Sequence, residues 1–235
     1  MGNLDPNFRE SIDFDKWRRM IVDGSLAFGL RPTEQQVRQF FRHMIELRQW
    51  SAKVNLTAIH DPYDIAVKHF VDSLAPVAFF TPASRVLDIG SGAGFPGLPL
   101  KVWCPSIELT MVDAVRKKVS FLQHVSRQLE LQNVVAVHAR IEHWQRVSDD
   151  REFDTIVCRA FSDLSFIVEN ALPLLSETGQ LVIWKGRFPE KELMALRTAL
   201  ESAPYRIVMQ IESYRLPFID AQRTLLIIRT QGGGI

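Results

Sequence analysis

The chain has 235 residues, and its 28 Lys and Arg nearly balance 27 Asp and Glu, leaving a formal net charge of +1. Long-range charge alone therefore cannot hold it on nucleic acid, and any RNA contact must come from a local basic face. Hydrophobic residues are 46% of the total, which excludes disorder as the default and suffices for one α/β domain with a helical extension.

Residues 1–12 are polar and read as loose. Phe14, Trp17 and Ile21 set a helical period running to Leu30, broken at Gly24. Pro32-Thr33-Glu34 then opens a second helix with Thr33 as N-cap, and Val37, Phe40, Phe41, Met44 and Leu47 keep one apolar face. These helices read as a cap packed on the main domain, with a partner-binding helix as the alternative. Trp50–Thr57 has no period and reads as a turn. Lys68–Ser73 falls on a helix running to about Phe80, where His69, Asp72 and Ser73 share a face. That trio invites a hydrolase reading, but a nucleophilic serine is usually presented on a strained elbow rather than along a helix with its partners. Capping and packing account for it, or a site-lining role for His69 or Ser73.

Beyond Ser84, strands and helices alternate. Strands are expected at Val86–Gly90, Glu108–Asp113, Val134–His138, Thr155–Arg159, Gln180–Lys185, Tyr205–Glu212 and Arg223–Thr230, with helices near 96–103, 115–131, 141–147, 163–175 and 189–202. Such alternation argues a doubly wound sheet. Only Ser213–Gln222 joins the last two strands, a connection so short that they must be antiparallel. The expected fold is α/β, a seven-stranded class I methyltransferase sheet with the last strand antiparallel: residues 1–80 form the N-terminal helical extension and 81–235 the Rossmann-like domain. Cys104 and Cys158 sit in apolar segments and read as reduced core residues. With no signal peptide or spanning apolar run in view, the expectation is a soluble, cytoplasmic, membrane-free monomer.

Arg85–Gly97 organises the rest. Val86, Leu87 and Ile89 form a buried strand, followed by a turn in which Gly90, Gly92 and Gly94 let the backbone approach a ligand, and then a helix start at Pro96. Gly92–Gly97 fits the dinucleotide fingerprint literally. However, the strand ends Asp88-Ile-Gly90, and a carboxylate at Asp88 would repel a pyrophosphate. It suits a ligand carrying an ammonium and a sulfonium, which is S-adenosylmethionine. About 20 residues on, Asp113 ends the second strand, where an acid accepts from ribose hydroxyls; the alternative is a helix N-cap.

Ligands in such sheets bind beyond the carboxyl ends of the strands. That rule selects Asp88 and Gly90, Asp113 and Ala114, Ile141 and Glu142, Arg159, and Lys185. Ile141 could cover an adenine face and Glu142 read its edge, or Glu142 could simply favour a helix start. Arg159, directly after Thr155-Ile-Val-Cys158, could grip a phosphate or a base oxygen, or pair structurally with Asp163 or Glu142. Arg159 and Lys185 are the catalytic candidates. Arg116, Lys117, Lys118, Arg140, Arg159, Lys185 and Arg187 cluster on these loops and suit an anionic substrate. Arg-Ala-Phe-Ser after the fourth strand lacks the tetrapeptide that grips exocyclic amines, no cysteine is placed as a nucleophile, and the histidines show no tight zinc pair.

Taken together, Gly90-Ser-Gly-Ala-Gly-Phe-Pro-Gly97, Asn55-Leu-Thr57, His69-Phe-Val-Asp-Ser73, Cys158-Arg-Ala-Phe161 and Lys185-Gly186 resemble the RsmG (GidB) family of 16S ribosomal RNA guanine-N7 methyltransferases. The resemblance runs from about Thr33 to Thr230; the first 30 residues exceed what the family core needs, and Cys158 stands where many relatives have serine. It implies S-adenosylmethionine contacts at Gly90, Phe95, Ile141, Glu142 and Arg159. Of these, only Phe95 would otherwise be read as core. It further implies 16S ribosomal RNA or the small ribosomal subunit as partner, with one guanine of the decoding region as substrate. Two other classes remain in view: a methyltransferase of small molecules, and a dinucleotide-binding module.

Overall fold

The computed structural model describes residues 12–144, 153–159, 163–201 and 206–231. The expected loose N-terminus (1–11), helix end at 145–147, motif residues 160–162, Tyr205 and the glycine tail lie outside them.

Helices α1 (Phe14–Leu26) and α2 (Glu34–Ser51) lead the chain, followed by α3 (Pro62–Ile65), a π-turn (Ala66–Val71) and α4 (Asp72–Leu74). The α/β part then runs β1 (Arg85–Ile89), α5 (Gly97–Trp103), β2 (Glu108–Asp113), α6 (Arg116–Gln128), β3 (Val134–His138), α7 (Ile141–Trp144), β4 (Phe153–Arg159), α8 (Leu164–Ala171), β5 (Leu175–Lys185), α9 (Glu190–Glu201), β6 (Arg206–Leu216) and β7 (Ala221–Gln231). The seven strands form one sheet in the order β3-β2-β1-β4-β5-β7-β6. Its first five strands are parallel, and β7 runs antiparallel to both β5 and β6.

The apolar runs of the central strands follow from burial on both faces. Val86, Leu109, Met111, Val157, Val182 and Ile227 pack against the N-terminal helices, α5 and α6. Leu87, Ile89, Ile156, Cys158, Ile183 and Leu226 pack against α8 and α9. The helical layer is stitched on by polar bonds as well. Thr33 and Gln36 cap α2 reciprocally. Gln36 Nε2 donates to the Val102 carbonyl (3.2 Å) and Gln39 Nε2 to the Leu129 carbonyl (2.9 Å), while within the layer Trp17 Nε1 donates to the Pro62 carbonyl (3.1 Å).

Four expectations need correction. The first helix does not break at Gly24. It passes straight through, because Gly24 is buried where a Cβ would come within 2.8 Å of Val71 Cγ2; the glycine is there for close packing. The helix expected to run to about Phe80 ends at Leu74, before a separate 3-10 turn at Val77–Phe79, and it contains the π-turn, whose extra residue re-aims the side chains around it. β5 begins at Leu175, in the span expected as helix, and the β6–β7 hairpin extends past Glu212 to Leu216. Ser213–Leu216, expected within the connection, instead continues β6, and its alternating exposure is that of a strand with one wet face.

Gly24→Leu separates helix propensity from packing. Propensity alone favours the variant by about 1 kcal/mol, whereas overpacking against Val71 costs about 1–3 kcal/mol or more. The expected outcome in thermal or urea unfolding is a less stable protein.

Candidate active site

The glycine loop is shaped by three residues with positive φ: Gly90 at 72°, Gly92 at 56° and Gly94 at 86°. At Gly94 a Cβ would also fall 2.3 Å from Leu98 Cδ1, so both conformation and space demand glycine there. Gly90 N–H donates to the Val112 carbonyl (2.8 Å) and Gly94 N–H to the Ser91 carbonyl (2.7 Å), which folds the loop back over β2.

Beside this loop lies a cavity of about 460 Å³, within the usual size range of small-molecule sites. Gly90, Gly92, Phe95, Asp113, Ala114 and Arg159 line it, and so do Leu56, His69, Ser91, Ala93 and Lys118. The strand-tip rule thus brings β1, β2 and β4 to one cleft. Asp88, Gly94, Ile141, Glu142 and Lys185 are not in its lining.

Asp88 is the main correction. It is fully buried beneath the loop, where its Oδ2 accepts the Gly97 N–H at 3.0 Å. Gly97 permits this approach, since a Cβ there would lie 2.6 Å from Oδ2. Burial, partly offset by that N–H, pushes the Asp88 carboxyl up to about 7. Asp88 therefore braces the loop, and the carboxylate that faces the cavity is Asp113. Asp113 Oδ2 accepts from Gly92 N–H (2.9 Å) and Oδ1 from Val115 N–H (2.8 Å). These bonds fix its orientation, and each oxygen keeps a lone pair for a further donor.

Lys185 is likewise corrected as a candidate: Glu192 on α9 takes its ammonium at 2.6 and 2.7 Å, and it lies over the Phe188 ring. Ile141 and Glu142 follow β3, one strand outside the cavity. Ile141 is buried, and Glu142 lies 3.7 Å from Arg140. Asp163, considered a partner for Arg159, instead caps α8 through Phe166 N–H (3.0 Å). Arg159 pairs with Asp72, on the helical layer, at 2.9 Å.

Phe95 lies between two imidazoles. His43 stacks on it at 4.8 Å and His69 at 4.5 Å, with interplanar angles of 11° and 15°. His43 Nε2 bonds the Ala93 carbonyl (2.9 Å), and His69 Nε2 meets Thr57 Oγ1 (2.8 Å), which joins Asn55-Leu-Thr57 to the His69 motif. Burial lowers His43 to about 4, and burial with the nearby Arg159 charge lowers His69 to about 3, so both rings are neutral at physiological pH. Phe95 is thus both core, as its residue type suggests, and cavity wall. Of the other lining residues, Leu56 lies in an aperiodic stretch whose one signal is the Asn55-Leu-Thr57 motif of the resemblance, Ser91 and Ala93 lie inside the glycine loop with no signal of their own, and Lys118 belongs to the expected basic cluster.

The fold and cleft define a Rossmann-like methyltransferase architecture. A SAM dependent methyltransferase from Aquifex aeolicus superposes with a TM-score of 0.52 over 72% of this chain and 93% of its own, at 19% identity, a likeness of fold alone. The family model described as rRNA small subunit methyltransferase G (GidB) matches residues 35–223. Ribosomal RNA small subunit methyltransferase G of Geotalea uraniireducens is 42% identical over 90% of this chain and 95% of that protein. The protein of that name from Geobacter sulfurreducens is 41% identical over 89% and 96%. The chain belongs to this rRNA small subunit methyltransferase family.

Asp88 yields a pH test with a definite sign. Its folded-state pKa is raised from 3.8 to about 7, so the native state holds a proton that the unfolded chain has released. Stability from this group is fully present at acid pH and is lost as pH rises between about 4 and 7. Asp88→Asn keeps an acceptor for Gly97 N–H and does not titrate. The melting temperature of Asp88→Asn minus that of the parent should climb across this window and level off above it. A flat difference would mean that Asp88 is ionised in the native protein throughout.

Proposed function

We propose that this cleft binds S-adenosylmethionine and that the protein transfers its methyl group to N7 of a guanine in 16S ribosomal RNA. The observation that carries the reading is the pairing of Asp113, at the end of β2, with Arg159, at the end of β4, across the glycine loop in one cavity. Asp113 is an acceptor oriented by backbone N–H groups, as ribose hydroxyls require. Arg159 Nη1 is buried without a partner among the described residues, and leaving such a group unsatisfied costs about 1–3 kcal/mol. A ligand with hydroxyl donors at one end and an anionic or carbonyl oxygen at the other answers both. A dinucleotide fits less well, because the first N–H of α5 is already spent on Asp88 and cannot serve a pyrophosphate.

When bound, S-adenosylmethionine supplies an electrophilic methyl group on a sulfonium. The chain's own residues orient and exclude water. Gly90 and Gly92 admit the ligand against the backbone, and Phe95 with its two neutral histidines provides a wall free of charge. Guanine N7 carries an in-plane lone pair, so no general base has to remove a proton first, and alignment suffices. This accounts for a cleft whose described residues form no acid–base dyad. Arg116 and Lys117 are exposed beside Lys118 on the rim, a local basic face on a nearly neutral protein. It suits RNA, as naked 16S RNA or the small subunit, and a cytoplasmic site of action follows from that substrate.

Mapping of 7-methylguanosine in 16S RNA incubated with the protein and S-adenosylmethionine should show one modified position; none on RNA or subunits overturns the proposal. Asp113→Ala should weaken S-adenosylmethionine at least ~10-fold by calorimetry, the loss of one or two hydrogen bonds. RNA methylation should fall steeply with added salt while cofactor affinity barely moves, since only the RNA step releases counterions.

A further inference from the structure

We infer that Asp72 is a positioning residue for Arg159, holding the guanidinium so that one of its edges is left for the cofactor. The inference rests on reading the cleft as an S-adenosylmethionine site, and it concerns a residue of the helical layer outside the cavity lining.

Asp72 follows the π-turn and is 1% exposed, yet it has partners from four strands of the sheet. Its Oδ2 receives Arg159 Nη2 at 2.9 Å, its Oδ1 receives the Tyr214 hydroxyl at 2.6 Å, and Arg223 Nε lies 3.9 Å away. Its backbone carbonyl takes the Trp184 indole N–H at 3.1 Å. Arg159 Nη2 also donates to the carbonyl of Lys68, on the same π-turn. Burial, reinforced by the Asp72 carboxylate, raises the Tyr214 pKa, so its hydroxyl stays a donor.

Three features separate this from ordinary structural pairing. The guanidinium is held at one end only: Nη2 has two acceptors on the helical layer, while Nη1 has none among the described residues. Arg159 lines the cavity although Asp72 does not, so the carboxylate reaches the site through the arginine. Finally, a buried ion pair stabilises no better than a well-packed apolar pair of equal volume, so stability alone gives little reason for one here. Two arginines face one carboxylate, and of the two it is Arg159 that lines the cavity. In S-adenosylmethionine the complementary group is the methionyl carboxylate, which can accept from the unpaired Nη1.

The test is a double-mutant cycle read by calorimetric binding of S-adenosylhomocysteine to the full-length chain. Asp72→Asn preserves size and can still accept from Tyr214. It should weaken binding about 10-fold alone, and by less than about 2-fold in an Arg159→Lys background, because contacting groups couple. Tyr214→Phe removes only the hydroxyl that orients Asp72 and should weaken binding about 3-fold, again only when Arg159 is present. It keeps the inference testable should Asp72→Asn fail to fold. A purely structural Asp72 would couple to Arg159 in the melting temperature, as contacting groups do, yet leave affinities additive. Unchanged or additive affinities overturn the inference. If the parent protein itself fails to bind S-adenosylhomocysteine, it is the cofactor reading of the cleft that falls.

Discussion

The cleft depends on one buried contact, the Asp88 carboxyl against the N–H of Gly97. That contact sets the angle at which the chain leaves β1, and with it the path of the glycine loop. It works only because residue 97 has no Cβ and because the loop reverses through three left-handed glycines. The acid is costly to ionise at that depth, which is why its pKa climbs toward 7. With Asp88 engaged below the loop, Asp113 is the acid exposed to the cavity above it. Asp113 is tied in turn to Gly92, so the two carboxylates clamp the loop from both sides. One acid maintains the scaffold and the other lines the cavity.

The N-terminal helices complete the cleft as well as covering the sheet. Leu56 and His69 come from that layer and line the cavity. His43 of α2 holds Ala93 in the glycine loop and stacks on Phe95. Neutral imidazoles suit this position. Each gives a flat surface against Phe95 and a polar atom for a fixed partner, and neither adds positive charge to the wall of the cleft. A protonated ring here would face Arg159 in a low-dielectric setting, where like charges repel strongly. The same layer supplies Asp72, so the geometry of Arg159 is set from outside the sheet to which it belongs.

Much of this was legible in the sequence, for definable reasons. Apolar runs bounded by glycine and proline placed the strands, and strand-tip logic found Gly90, Asp113, Ala114 and Arg159 in the cleft wall. Direction and pairing were harder to read. Asp88 has the right spacing for a ligand contact, but its side chain turns beneath the loop because Gly97 offers an N–H there. Lys185 was selected as a cation at a strand end, while its partner Glu192 lies on the following helix. Asp72 and Arg159 are far apart in the chain, and only the π-turn and the sheet order bring them together. Gly24 shows the same limit: its helix-breaking tendency is local, while its reason for being glycine is Val71, distant in sequence.

The distribution of cations bears on how a chain of net charge +1 could engage a polyanion. Several basic residues near the cleft are already committed: Lys185 to Glu192, Arg159 to Asp72, and Lys68 to Asp64 at 2.8 Å. Arg116 and Lys117 stand exposed at the start of α6, directly after Asp113. These cations lie beside Asp113, with Lys118 reaching the cavity itself, and Arg140 and Arg187 are exposed at neighbouring strand ends. Screening limits such a patch to about 8–10 Å at physiological salt. It would act on the nucleotides next to the target and would do little to hold distant RNA. Under the proposed function, affinity for a large RNA would have to draw on its folded shape around the target guanine, and a nearly neutral protein with one basic rim is built for that kind of recognition.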